Sequence, residues 1–137
     1  MRPPGLAVYG ARELGREVVV LEGDDPAGLG RTFGRLMDGL RSVLGADGEP
    51  MINVAGTFGD GRWRLIVFPR SRHRPAAFFS EGEDRIVVSP GVVEMGGTLI
   101  TPVERDFERL DGPSVEAIYR EVSIDGRVIG KAVGLMG

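Results

Sequence analysis

Two β-branched and aromatic runs, MINVAGTF (Met51–Phe58) and RWRLIVF (Arg62–Phe68), stand on either side of Gly59-Asp60-Gly61. An Asp-Gly pair between alternating runs is a strong short-range signal for a hairpin. On the second run Trp63, Leu65 and Val67 share one face, while Arg62, Arg64, Ile66 and Phe68 share the other. This unit constrains the fold more than any other feature, because strands joined by a tight turn must lie antiparallel.

The rest of the chain is read around it. EVVVLEG (Glu17–Gly23) is a buried strand closed by glycine. Asp25 is placed to cap the helix that follows, with Pro26 at its first position. From Pro26 to Leu44, Leu29, Phe33, Leu36, Met37, Leu40, Val43 and Leu44 recur at three- and four-residue steps as one apolar stripe. Gly28, Gly30 and Gly34 on the opposite face each weaken that helix by up to ~1 kcal/mol, so packing must hold it. RIVVS (85–89) and TLITP (98–102) read as a fourth and a fifth strand. VERDFERL, GPSVEAIYREVS and a glycine-diluted DGRVIGKAVGLM read as helices, with Phe107 inward. The expected architecture is α+β: an antiparallel sheet of about five strands flanked by helices on one side. Trp63 is assigned to the core.

The 137 residues are assigned to one domain, 1–137. There is no cysteine and one histidine, which excludes a disulfide framework, a thiolate or histidine-rich metal site and a cysteine nucleophile. No metal and no cofactor is expected. The net charge of −3 argues against nucleic acid as the default partner. No run approaches the ~20 apolar residues of a membrane span. No signal peptide is recognised at the N-terminus, and the expected location is cytoplasmic.

Within this acidic chain, five arginines and no acid lie between residues 62 and 74 (Arg62, Arg64, Arg70, Arg72, Arg74), together with His73. Guanidinium forks pair bidentately with phosphate oxygens. In an extended segment the alternation sets Arg70, Arg72 and Arg74 on one side and His73 on the other. Pro69 and Pro75 stiffen the backbone between them. The competing reading is a solvated loop whose arginines pair with Glu81, Glu83 and Asp84. The glycines of GVVEMGGTL match no phosphate-loop pattern and read as close packing or a bulge. Glu94 reads as a solvated acid.

Taken together, MINVAGTFGDGRWRLIVFPRSRHRP, SPGVVEMGGTLIT, DFERL and AIYREVS resemble the C-terminal domain of ATP adenylyltransferase-like proteins. More distantly they are similar to diadenosine-tetraphosphate phosphorylases. The matching residues are Asn53, Trp63, Pro69, Arg70, Gly96 and Gly97, and the likeness runs over about residues 50–122. The resemblance implies a histidine-triad-like sheet flanked by helices. It also implies chemistry in which a histidine of a His-x-His motif moves a nucleotide between phosphoryl groups. That motif is absent from this chain, so no catalytic residue carries over. Asn53, Arg70 and His73 carry over as nucleotide or phosphate contacts, joining Arg72 and Arg74.

The expected function is therefore nucleotide or polyphosphate binding without independent catalysis, as a stand-alone domain or as the half of a split nucleotidyltransferase that a histidine-bearing partner chain completes. A structural or homodimerisation module is the alternative. An active nucleotidyltransferase or nucleotide phosphorylase with His73 as nucleophile is the third.

Overall fold

The computed structural model describes residues 5–11 and 16–137. Its sheet has four antiparallel strands, β1 (Gly5–Ala11), β2 (Arg16–Gly23), β3 (Ile52–Gly59) and β4 (Arg62–Pro69), in the order β1-β2-β4-β3. The hairpin forms in the expected place. Phe58 faces Trp63 and Gly59 faces Arg62, leaving Asp60 and Gly61 as the two loop residues. Their φ values of 51° and 71° are both left-handed, as a tight hairpin turn that follows the strand twist requires.

The class is α+β, but the sheet of about five strands, and the histidine-triad-like layout tied to it, are corrected to these four. Residues 85–89 and 98–102 form no strand. Their backbone donors are taken by acceptors outside any strand ladder: Ile86 N–H donates to Ala77 O, Val87 N–H to the Asp106 carboxylate and Thr98 N–H to Val93 O. β1, rich in glycine and alanine, carries no clear strand signal. It is a strand because β2 offers it a partner from Gly5↔Glu22 to Ala11↔Arg16.

The helices cover both faces of the sheet, not one. On the first face, Val19, Leu21 and Val67 meet Leu29, Leu36, Met37 and Leu40 of α1 (Pro26–Leu44), with Ile129 and Ala132 of α5 (Gly126–Gly134) behind them. On the other, Phe68, Ile66 and Val18 meet Met95 of α2 (Val92–Met95) and Tyr119, Val122 and Val115 of α4 (Gly112–Val122). Burying each such large apolar side chain contributes about 1.5–3 kcal/mol.

Asp25 caps α1 as expected, accepting from Ala27 and Gly28 N–H at 3.1 and 2.9 Å. Gly45, at φ 61°, ends the helix in the left-handed conformation. Packing does hold this helix. A Cβ on Gly39 would stand 2.4 Å from Ala132 O, so α1 and α5 touch backbone to backbone there. Gly28 is buried beside its cap and does not lie on an open face. No helix among the described residues is long and apolar enough to cross a membrane.

Candidate phosphate-binding groove

β4 ends in Pro69, and the chain then leaves the sheet for a long irregular stretch. Arg70 holds this exit. Its side chain is 2% exposed, and all five of its N–H donors are in use. Nε donates to Val122 O at 3.1 Å. Nη1 donates to Asn53 Oδ1 and to Pro90 O, the latter at 2.7 Å. Nη2 donates to Arg72 O and His73 O, both at 3.0 Å. Burial pulls this guanidinium below its ordinary pKa, and the Glu94 carboxylate offsets part of that. Arginine nonetheless stays charged in proteins.

Arg70 is thus a structural hub that ties β3, the loop at 72–73, Pro90 and the end of α4 to one side chain. The expectation that Arg70 contacts a phosphate meets a plain obstacle: the guanidinium has no free donor. Asn53, half-buried, is held against it through Oδ1. The backbone supports the same junction. Arg70 N–H donates to Met51 O, Ser71 N–H to Val122 O and Ile124 N–H to Pro69 O.

The expected row of arginines is likewise not a row. Arg70 points inward, whereas Arg72 and Arg74 stay at the surface. Arg72, His73 and Arg74 line one open groove of about 490 Å³ with Ser71 and Phe79, so His73 does not face away from the arginines. Neither surface arginine pairs with Glu81, Glu83 or Asp84. Arg72 Nη1 reaches the Glu121 carboxylate of α4 at 3.2 Å. Arg74 donates Nε to Ser89 Oγ at 3.1 Å and lies over the Phe78 ring, 4.5 Å from its centroid. Glu121 also accepts from Ala76 N–H at 2.7 Å, fixing the loop beyond Pro75. The His73 imidazole makes no hydrogen bond to a described residue, so no orienting group among the described residues prepares it as a nucleophile.

Two residues that matter here carried little signal. Phe79 is 70% exposed at the groove, an unusual position for a phenylalanine, and the sequence marks it only as one of an aromatic pair. Glu121 reads as an ordinary helical acid. Other expectations also reverse. Trp63 is 40% exposed and packs on Phe58, with ring centroids 4.6 Å apart, instead of entering the core. On α3 (Glu104–Arg109) Phe107 is 71% exposed, and the buried residue is Asp106, which accepts from Val87 N–H at 2.8 Å. Glu94 is not a loose solvated acid: its carboxylate accepts from Gly91 N–H at 2.8 Å.

Among the described residues, no group of three or more His, Cys, Asp or Glu side chains could hold a metal ion. No family model matches the chain, and neither does any curated protein or solved structure.

Proposed function

We propose that this chain binds a nucleotide or polyphosphate in the Ser71–Phe79 groove. One observation carries the reading: two guanidiniums and an imidazole share an open cavity with an exposed aromatic ring. Arg72 and Arg74 supply charge and forked donors for phosphoryl oxygens. Phe79 supplies a stacking surface for a base. The competing ion pair with Glu121 is exposed and contributes at most ~1 kcal/mol, so a ligand phosphate can exchange for it.

The likeness of residues 50–122 to ATP adenylyltransferase-like C-terminal domains favours the same ligand class. Of the residues matched by that likeness, Arg70 and Asn53 serve by shaping the loop that carries the groove. Nucleotidyl transfer is assigned to a partner chain bearing the His-x-His motif, because His73 lacks an orienting partner among the described residues.

Calorimetric titration with ATP and with a diadenosine polyphosphate tests this. Binding to the wild-type chain and an affinity loss of tenfold or more in an Arg72→Ala/Arg74→Ala variant are expected. Equal affinity in both proteins, or none in either, overturns it. Phe79→Ala is expected to cost about 1–3 kcal/mol with a nucleotide and little with inorganic polyphosphate.

A second reading, a homodimerisation module, has its own support. β3 is an edge strand; its Val54 and Phe58 are 37% and 59% exposed, and Trp63 beside it on β4 is 40% exposed. Free strand edges invite pairing with another chain. Solution mass of the wild-type chain and of Phe58→Asp distinguishes the two readings.

A further inference from the structure

The described residues hold a buried cation that nothing so far explains. Arg16 opens β2 and is 7% exposed. Its guanidinium carbon lies 4.6 Å from the centroid of the Tyr119 ring. Its Nη2 lies beside Gly97, only 3.5 Å from where a Cβ on that residue would be. Gly97 has φ 126°, a conformation that side-chain-bearing residues rarely adopt, so the backbone there stays bare beside the guanidinium. Nη1 is fully buried and has no hydrogen-bond partner among the described residues.

A buried charge is normally paired, because the loss of water must be offset by donors and counter-charges. Arg70 shows how this chain does it, with five acceptors around one guanidinium. Arg16 has an aromatic face and no carboxylate within salt-bridge distance among the described residues. The cation–π contact with Tyr119 offsets part of the cost but supplies no acceptor for Nη1. Tyr119 is itself committed, since its hydroxyl donates to Glu94 O. Burial pushes that hydroxyl's pKa up, and the nearby guanidinium opposes the shift.

The surroundings are a seam between separate parts of the fold. The Glu17 carboxylate occupies the place where a Cβ on Gly126 would stand, so the start of β2 runs beside the segment joining α4 to α5. That segment contains Ser123, whose Oγ is the other buried side-chain polar atom without a partner among the described residues.

From this we infer that Arg16, between the Tyr119 ring and the bare Gly97 backbone, is the receptor for a small oxyanion, phosphoryl or carboxylate, that enters the seam and takes the free Nη1 donor. None of these residues lines the Ser71–Phe79 groove, so this site stands or falls separately from the proposed nucleotide site.

The test is a heteronuclear NMR titration of the whole chain at constant ionic strength, with inorganic phosphate in one arm and acetate in the other. Saturable shifts at the Gly97 amide and the Tyr119 ring are expected. Arg16→Gln should weaken the response at least tenfold. Arg16→Lys, which keeps the buried stem and the charge, should weaken it less. The Arg72→Ala/Arg74→Ala variant should respond like wild type. A response to phosphate alone assigns a phosphoryl ligand, and a matching response to acetate a general oxyanion site. Absence of saturable shifts in the wild-type chain, or an undiminished response in Arg16→Gln, overturns the inference.

Discussion

Two halves of this molecule are held together by opposite means. The four strands with α1 and α5 are a layered apolar structure: Val19, Leu21, Leu36, Leu40, Val67, Ile129 and Ala132 are fully buried, and every strand has at least one partner. The stretch from Arg70 to about Asp111 has no strand, two 3-10 turns (Ala76–Phe79 and Gly82–Asp84) and the short α-helices α2 and α3. Beyond the apolar anchors Val88 and Met95, its order comes from a few buried or half-buried polar side chains that act as staples: Arg70 on four backbone carbonyls and Asn53, Asp106 on Val87, and Glu94 on Gly91. In the first half, energy is spread over many interchangeable contacts. In the second it is concentrated, so single substitutions there should act out of proportion to the area they touch. The candidate groove lies in the second half, as is usual for binding residues carried by loops on a rigid scaffold.

The comparison breaks most visibly at Arg70. Arg70→Leu is expected to cost on the order of 3–5 kcal/mol, because it leaves buried carbonyls without donors. Denaturant unfolding measures the loss. A loss under 1 kcal/mol would mean that water replaces the guanidinium and that the hub is not structural. Gly39→Ala probes the apolar half at its tightest backbone contact. Pushing α5 off α1 should cost about 1–3 kcal/mol, also read from denaturant unfolding. Asp106→Ala should cost about 1–3 kcal/mol by orphaning Val87 N–H. Amide exchange should speed up at residues 85–89 while β2 and β4 stay protected, which separates the two halves directly.

Gly126→Ala is expected to be mild despite its short contact, since what it meets is the end of the flexible Glu17 side chain. A large loss of melting temperature there would show that the seam beside Arg16 is rigid. The smallest effect is at Asp111. Hydrogen bonds from Ser114 hold its carboxyl below the usual carboxylate range. Its contribution to the start of α4 is therefore present above about pH 4 and fades as the pH falls through the lowered folded value. Acid unfolding of Asp111→Asn should lose that part of the pH slope.

Much of the apolar half is legible without coordinates. The Asp60-Gly61 turn, the alternation of β4 and the Asp25–Pro26 start of α1 are each written in a few adjacent residues. Local rules suffice because each choice agrees with its neighbours. β1 is the exception, because its composition is weak and its partner strand makes it. The polar half resists such reading. RIVVS has a strand's composition, yet Asp106, nineteen residues beyond Val87, claims the donor that a neighbouring strand would have used. ERDFER looks like a helix with Phe107 inward, yet Asp106 is the residue that turns in.

The arginine cluster divides along the same line. That positive charge gathers after Pro69 is a property of the sequence alone, and so is the availability of forked donors there. Which arginine is spent inside the fold and which remain for a ligand is not. Arg70, Arg72 and Arg74 are chemically identical and differ in what surrounds them. Asn53, Pro90 and Val122 converge on Arg70 from 17, 20 and 52 residues away. Periodicity and turn chemistry act over a few residues and are therefore readable in order. Satisfaction of a buried charge depends on acceptors brought together by the closed chain, and tertiary structure alone decides it.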